Sequence, residues 1–556
     1  MLQDLARQWA GKPDWTLLDT AFQDGRVFAD VCQLWSTGAA SPKLLHYVAI
    51  TGIAPTLDIA ARQMLDAAAT DFDHVYPGFN RILLAQGRIS LTLCIGPLSK
   101  MLAELRVQAD GVLLDNDEPA SDAEALAHWT QADWKQLALN CRAGARLYLP
   151  ATGDVQRDAM QRQGFQVHQR TARFAPGWNI KRNRRFVNQP IAAMRCAIIG
   201  AGLSGAAIAH VLALRGWQVS VYDANAMPAE AASGVPVGLC VPQSALDDHP
   251  PKRLSRQGVR ICLSHTRNLL AHGQDWKYTG VLEKVDPSDP QRDVMHTHAA
   301  WVKPALLTRA WLNNPAIQWL GGRPVHGLQR VDAQWVLQGP ETQEWGRADH
   351  IVLANALGST ALIEALAAQV PLAEDVLRKL RALQALHGSL SWGRDTSPEP
   401  GIPLNGSGSW IAGVPAPAGA CWYAGATYET DLLEVQNGLA QQRANLVRLR
   451  TLCVQCAEVM AEAMNDASIQ SWSGTRCVSH DRLPLVGPLE ASAAPTLWIS
   501  TGMGSRGLSL SALCAELLAA YMHSEPLPLE ASLAKSLSVL RPARGRSAHP
   551  ALDLAN

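Results

Sequence analysis

The chain reads as two successive α/β units, each opening on an apolar strand that runs through a turn into a helix. Three observations carry that reading: strands alternating with helical segments before residue 180, a polar and basic break at Lys181–Met194, and a glycine fingerprint just beyond it, Gly200-Ala201-Gly202-Leu203-Ser204-Gly205. A length of 556 residues exceeds what one core organises, so two or three domains are expected. A composition of 47% hydrophobic and 18% charged residues is that of a globular protein, and the formal net charge of +0 gives no global attraction to nucleic acid or membrane. Any such binding has to come from a local patch.

No run approaches the ~18 apolar residues of a membrane span, and Met1-Leu2-Gln3-Asp4-Leu5 lacks the basic-then-apolar order of a signal peptide. No membrane association is expected. The 11 cysteines are scattered and odd in number, which suits a reducing cytoplasm. Cys453 and Cys456 have C-x-x-C spacing, but they lie in a helix-like run with no strand before it. Helix packing, rather than redox or zinc chemistry, is the expected role, and no metal site is expected.

Residues 1–180 form the first domain. Trp15–Leu18, Leu45–Ile50, Gly111–Leu114 and Ala145–Leu149 read as buried strands, with Ala123–Ala138 and Val155–Gln163 as helices between them. A basic linker, 181–193, leads to the second domain, 194–540. There Arg195–Ile199 is a strand and Ala206–Leu214 an Ala-rich helix, so the glycines stand in the context that dinucleotide binding demands. They permit a tight turn and close backbone approach, which seats a pyrophosphate on the helix N-terminus. The next strand, Gln218–Tyr222, ends in Asp223-Ala224, placing an acid where a ribose hydroxyl needs it. Strand-like segments at Trp335–Leu337 and Cys421–Thr427 follow, then helical runs at Asp431–Ala463 and Leu508–His523. The Pro/Arg/Ser-rich tail, 541–556, reads as disordered.

Three later segments make the dinucleotide FAD rather than NAD. Ala232-Ser233-Gly234 stands where flavoproteins place a second pyrophosphate turn. His350–Ala356 is an apolar strand ending in small residues, with Ala354 and Asn355 at its nucleotide end. Leu497–Thr501 leads through Gly502-Met503-Gly504-Ser505-Arg506-Gly507-Leu508 into a helix, directing N–H groups and a positive dipole end at an anion such as the reduced flavin ring.

Trp472-Ser473-Gly474-Thr475-Arg476, Asp481-Arg482-Leu483-Pro484-Leu485-Val486-Gly487 and Gly504–Leu508 together resemble the C-terminal half of the MnmC family, the tRNA 5-methylaminomethyl-2-thiouridine biosynthesis bifunctional proteins. That half belongs with glycine oxidase and the D-amino-acid oxidases, and the resemblance covers essentially Met194–Leu540. It implies a D-amino-acid-oxidase-type domain with an FAD-binding part (about 194–290, 346–372 and 474–525) and an antiparallel-sheet substrate part (about 295–345 and 373–473). It further implies oxidation of a carboxylate-bearing amine, the carboxymethylaminomethyl side chain of a tRNA wobble uridine. Arg476 and Arg506 match the arginines that approach the substrate carboxylate, and an arginine fork suits that task. Tyr423 and Tyr428 flank Gly425-Ala426-Thr427 and are candidates to line the pocket. His480 and Asp481 are assigned to structure, because hydride removal needs only a deprotonated amine.

In that family the first half is an S-adenosylmethionine-dependent methyltransferase of Rossmann-like fold. Here the resemblance is damaged. Where the family has G-F-G-T-G-L-N-F, this chain has Ala21-Phe22-Gln23-Asp24-Gly25-Arg26-Val27-Phe28, so Ala21 and Gln23 replace glycines that admit the cofactor. Thr51 stands where an acid should hold the ribose. Leu114-Asp115-Asn116-Asp117-Glu118-Pro119 keeps only Asp115 and Pro119 of the third element's variable part. The expectation is a methyltransferase-type fold without methyltransferase activity, S-adenosylmethionine being a cofactor only if that activity survives. A retained domain could bind tRNA: Arg170-Thr171-Ala172-Arg173-Phe174 and Lys181–Phe186 interleave cations with aromatics, and Lys252, Arg253, Arg256 and Arg260 could extend the patch. Other readings are a bifunctional enzyme, an oxidase of free glycine or sarcosine-like amines, and a non-catalytic tRNA-binding flavoprotein.

Overall fold

The computed structural model describes residues 1–542 except 68–71, 115–125, 127, 151, 179–189, 244–248, 287–288, 368, 398–400, 430–437 and 493. The linker residues 181–189 and the Asp115–Pro119 element lie outside the described residues. Two compact units result. One comprises Met1–Ala192 with Glu516–Lys535, the other Ala193–Ala515 with Ser536–Asn556.

The first unit is built on an eight-stranded sheet, with strands β1 (Asp14–Asp19), β2 (Leu44–Thr51), β3 (Gly78–Leu84), β4 (Ile89–Ile95), β5 (Ala109–Leu113), β6 (Cys141–Tyr148), β7 (Phe165–His168) and β8 (Thr171–Phe174). Their order is β3-β4-β2-β1-β5-β6-β8-β7. The five central strands, β4, β2, β1, β5 and β6, are parallel. Each edge adds antiparallel pairing, through β3 on one side and β8 with β7 on the other. The order runs outward from β1 in both directions, which puts the topological switch point between β1 and β5. Both faces are covered, so the strands read as continuous apolar runs: Leu17 and Tyr47 join one core cluster, Leu18 and Val48 the other. This is the Rossmann-like, methyltransferase-type domain.

The helix read as Ala123–Ala138 takes its N-terminus at Thr130 and spans Gln131–Asn140. The Thr130 hydroxyl accepts from Asp133 N at 3.3 Å while Asp133 Oδ2 accepts from Thr130 N at 2.8 Å, a reciprocal capping box.

Residues 516–535 were expected in the second domain, and the structure corrects this. They pack on the first sheet through buried polar contacts. Phe79 N donates to Glu530 Oε1 at 3.1 Å, Arg81 Nη2 donates to the Pro526 carbonyl at 2.5 Å, and His46 Nε2 lies 3.7 Å from Glu525 Oε2. The His46, Arg81, Glu525 and Glu530 side chains are all buried, so these contacts between the two segments are shielded from water.

The second unit has a six-stranded sheet ordered Ile317–Leu320, Gln218–Tyr222, Arg195–Ile199, His350–Leu353, Leu497–Thr501, Leu485–Pro488. All neighbours are parallel except the last pair. Ile317–Leu320 was assigned to the substrate part but completes this sheet. The three-stranded meander Gly327–Ala348, assigned there up to about residue 345, packs Leu328, Trp335 and Leu337 against Ala197, Ile199 and Ile351 of the same layer. Hydrophobic pattern alone does not say which layer a short strand joins.

A seven-stranded sheet forms the other layer, ordered Val294–His296, Val281–Glu283, Leu404–Asn405, Ser409–Ala416, Gly419–Gly425, Gln384–Arg394, Gln470–Val478. Arg476 therefore sits on this sheet, paired with Leu386, and not in the nucleotide-binding part that was expected to begin at residue 474. The helical run expected over Asp431–Ala463 is two helices, Gly438–Leu452 and Val454–Asn465. The tail expected to be disordered from residue 541 begins with an ordered residue. Arg541 is buried and grips Asp481 with two bonds, Nη2 to Oδ1 at 2.7 Å and Nε to Oδ2 at 3.0 Å. Residues 543–556 lie outside the described residues.

Arg81→Ala removes a buried cation and its bond to the Pro526 carbonyl. The expected result is destabilisation of the first unit by about 3 kcal/mol, read as a thermal transition moving down while the temperature of flavin release stays where it was. An unchanged first-unit transition would contradict the role given to the 516–535 segment.

Candidate functional site

The fingerprint loop is defined by what it has no room for. A Cβ at Gly205 would lie 1.9 Å from the Gly200 carbonyl oxygen, and one at Gly200, whose φ is +105°, would lie 2.6 Å from the Ala354 carbonyl oxygen. Both positions demand glycine. This crossing sets the N-terminus of the helix Leu203–Leu214, with Gly202 as its cap residue, against the carboxyl ends of Arg195–Ile199 and His350–Leu353. Neighbouring residues fix the loop. Asp223 Oδ2 accepts from Ala201 N at 2.7 Å, and its Oδ1 accepts from Asn225 N at 2.9 Å and Nδ2 at 3.0 Å. Ser233 Oγ accepts from Leu203 N at 3.0 Å, and Ser204 Oγ donates to the Ser500 carbonyl at 3.0 Å. A Cβ at Gly234 would lie 2.5 Å from the Ala229 carbonyl oxygen. Asn355 Oδ1 accepts from Ser359 Oγ at 2.7 Å, while Ala224 is exposed.

The distant glycine turn closes the same assembly. Gly502 and Gly504 have φ of +75° and +59°, Met503 bridges Val478, and the helix Gly507–His523 begins directly after the short Gly504–Arg506 turn. Ser505 is exposed and Leu508 is buried. A cradle of close backbone crossings and helix N-termini, drawn from four separate segments, suits a dinucleotide. The residues fit FAD.

Arg476 and Arg506 were expected to share one task, but the structure gives them different surroundings. Arg476 lies flat over Gly388, where a Cβ would stand 2.2 Å from its Nη1. That Nη1 donates to the Thr427 carbonyl at 3.3 Å, and the guanidinium stacks on the Tyr428 ring at 5.0 Å. Among the described residues no carboxylate pairs with it, and burial holds its pKa below the ordinary arginine value, opposed only by Tyr428. Arg506 donates through Nη1 to Gln243 Oε1 at 3.1 Å and through Nη2 to the Arg482 carbonyl at 3.0 Å. Burial and the Arg482 charge lower its pKa. Its fork is thus largely taken up by protein groups.

Tyr423 is a core residue of the substrate sheet. It stacks on Trp392 at 6.0 Å and belongs to a cluster with Val237, Trp301 and Ile411, and burial pushes its phenol up to about 12. Trp472 and Val235 pack against that cluster, and a Cβ at Gly474 would lie 3.3 Å from Ala232 Cα, so the Arg476 strand passes directly beside the Ala232–Gly234 turn. Sequence reasoning missed Gly388, Gln243 and Arg448; the last lies over Tyr428 at 5.6 Å. No local pattern marks Gly388, since its reason is a guanidinium on the strand paired with its own, far along the chain.

At the first unit's switch point, the loop after β1 is held from below. Tyr47 OH donates to Asp19 Oδ2 at 2.5 Å and Ala21 N donates to Asp19 Oδ1 at 2.9 Å. Phe22, Phe28 and Tyr47 pack together, with centroids 4.9 Å apart for Phe28 and Tyr47 and 6.3 Å for Phe22 and Phe28. Gly25 has φ of +80°, and a Cβ there would meet Phe22 at 3.2 Å and Leu57 at 3.1 Å. Burial raises Asp19 to about 6, with Tyr47 and the Ala21 amide opposing. The proposed RNA surface at Arg170–Phe174 is only partly a surface: Phe174 is fully buried in the core. Among the described residues no helix is long and apolar enough to cross a membrane, and no group of three or more His, Cys, Asp or Glu is placed to hold a metal.

The model of the FAD dependent oxidoreductase family, DAO, matches residues 195–291 and 281–521. The chain is similar over nearly its whole length to proteins named tRNA 5-methylaminomethyl-2-thiouridine biosynthesis bifunctional protein MnmC. It is 37% identical to the one from Albidiferax ferrireducens, over 97% of this chain and 94% of the relative. Identity is 36% to that of a Polaromonas species, strain JS666, over 96% and 92%, and 33% to that of Polaromonas naphthalenivorans, over 96% and 91%.

Gly205→Ala is expected to yield folded protein that purifies without flavin colour, checked by the visible spectrum beside circular dichroism. Asp19→Asn addresses the first unit. Because the folded pKa of Asp19 is raised, its contribution to stability is full below the unfolded value of 3.8 and is lost as pH rises through about 6. The substitution should remove that decline, flattening first-unit stability between about pH 4 and 6; a wild-type slope retained in the variant would contradict the assignment.

Proposed function

The chain belongs to the FAD dependent oxidoreductase family and to the family of tRNA 5-methylaminomethyl-2-thiouridine biosynthesis bifunctional proteins MnmC, and from that premise we propose that it removes the carboxymethyl group from 5-carboxymethylaminomethyl(-2-thio)uridine at the tRNA wobble position. The product is the 5-aminomethyl nucleoside. Arg476 is the observation that supports this reading: a guanidinium held in place by Thr427, Tyr428 and the bare backbone of Gly388, with no carboxylate partner among the described residues. A half-buried guanidinium without a countercharge is a ready site for an anion that completes it. The substrate side chain is a glycine joined through its nitrogen, and its carboxylate is such an anion.

FAD, when bound, supplies the hydride acceptor. The chain orients and polarises. Arg476 holds the carboxylate and so points the adjacent methylene in one direction. Its positive charge also favours the neutral form of the substrate amine, the form from which the C–H bond is cleaved. Hydrolysis of the resulting imine releases the aminomethyl nucleoside and glyoxylate. Arg506 contributes by closing Gln243 and the Arg482 turn beside the pocket, with Tyr423 behind it in the apolar wall.

We assign no methyl transfer to the first unit. Ala21 and Gln23 add side chains to the loop that should admit S-adenosylmethionine, Thr51 ends β2 without a carboxylate, and Phe22 and Leu57 close on Gly25. The relatives' name, bifunctional protein, keeps a second reading in play, in which the aminomethyl product is also methylated. A cytoplasmic location suits the free state of all the cysteines.

The deciding experiment incubates purified holoprotein with tRNA carrying the carboxymethylaminomethyl nucleoside and identifies the digested nucleosides by mass. The aminomethyl nucleoside is expected with FAD alone, and the same product after S-adenosylmethionine is added. A methylated product in the second arm would overturn the loss of methyl transfer; no conversion in either arm, with free glycine or sarcosine turned over instead, would overturn the tRNA reading. Arg476→Lys should lower kcat/KM by about 100-fold, because a single ammonium does not replace a fork. Gly388→Ala, which displaces the guanidinium, should raise KM by about tenfold while flavin content stays unchanged.

A further inference from the structure

The C-x-x-C pair falls at a joint. The helix Gly438–Leu452 ends one residue before Cys453, and a new 12-residue helix starts at Val454 with Cys453 as its N-cap, in extended backbone of φ −158° and ψ 112°. Cys453 Sγ accepts the backbone N–H of Cys456 at 3.2 Å. Oxygen-bearing side chains serve this capping position far better than a sulfur, which is a weak acceptor, so capping alone gives no reason for cysteine here. Its partner sits three residues on, at the position whose backbone N–H this sulfur accepts, so the capping bond holds the Cys453 sulfur against the Cys456 backbone. A disulfide needs its two residues brought this near each other, and here the cap does so.

Accessibility singles out the same two residues. The other nine cysteines are buried, while Cys453 and Cys456 are half-buried and the residues between them, Val454 and Gln455, are exposed. The members are also unlike one another. Burial and the neighbouring sulfur push the Cys456 thiol up, so it is not the first to attack and enters as the resolving member. Cys453 faces the N–H groups at the positive end of the helix and is the sulfur positioned for attack.

We propose that Cys453 and Cys456 form a reversible dithiol–disulfide site whose oxidants are small hydroperoxides and low-molecular-weight disulfides. With a hydroperoxide, the Cys453 sulfur attacks one oxygen, the O–O bond breaks, and water or an alcohol leaves. The sulfenic acid so formed is attacked by the Cys456 sulfur, expelling water as the S–S bond closes, so the two electrons lost by the thiols reduce the peroxide. With a disulfide oxidant, a mixed disulfide forms at Cys453 and is resolved by Cys456, releasing two small thiols.

The test uses the native flavin-loaded protein. Ellman's reagent should titrate two thiols before denaturation, out of the 11 in the sequence. One equivalent of hydrogen peroxide, or excess glutathione disulfide, should then lower the mass by two hydrogens. Tryptic mapping should find the link within Thr451–Arg476, and dithiothreitol should reverse it. Cys453→Ser and Cys456→Ser should each abolish the link. The first retains a cap, since a serine oxygen accepts the Cys456 N–H at least as well, and flavin absorbance confirms that the variant is folded. Free thiols at both positions after treatment, oxidation confined to the buried cysteines, or a link that persists in either variant would overturn the proposal.

Discussion

Two backbone segments in the second unit pass closer than any side chain allows, and the nucleotide end of that unit is arranged around this crossing. Gly205 lies against the Gly200 carbonyl, and Gly200 lies against Ala354 and Asn355. A methyl group at either point would push the helix Leu203–Leu214 away from the sheet. Its N-terminal N–H groups would then no longer face the place where Asp223, Ser233 and Ser500 converge. The polar bonds are individually worth about 1 kcal/mol; the steric condition decides whether they can form together at all.

The pocket wall is positioned by the same logic one layer away. Gly474 lets the strand Gln470–Val478 pass close to Ala232, and Gly388 lets Arg476 lie against the neighbouring strand. Arg476 thus arrives beside the nucleotide elements because two glycines permit it, and Tyr428 and Thr427 then hold it. In the first unit the comparable loop has gone the other way. Phe22, Leu57 and Tyr47 fill the space around Gly25 and Asp19, so that switch point is organised as a core.

What could be read from the chain was what local chemistry dictates. Strand, glycine turn and helix after Arg195 are a local unit, as is the acid at the end of Gln218–Tyr222, and the sheet pairs the two strands in parallel. Illegible features were those whose cause lies far along the chain. Ile317–Leu320 is a strand by its own pattern, but only pairing with Val219–Tyr222 makes it part of the parallel layer. Gly388 has meaning only when Arg476 is laid over it. Gln243 has a role only through Arg506. The break at Cys453 is intermediate: the residue was noticed, but an unbroken helical pattern on both sides hid the turn.

The discontinuity of the first unit matters for how the protein is made. A ribosome completes residues 1–192 and then synthesises Ala193–Ala515 before any of Glu516–Lys535 emerges. At ~5–20 residues per second that gap lasts on the order of tens of seconds. Throughout it, Arg81, the Phe79 amide and His46 lack the contacts that Pro526, Glu530 and Glu525 give them in the finished molecule. The first half to be born is therefore the last to mature. Its final packing waits on the closing stretch of the message, so a chain cut short by early termination leaves an unsatisfied polar face exposed to chaperones and proteases.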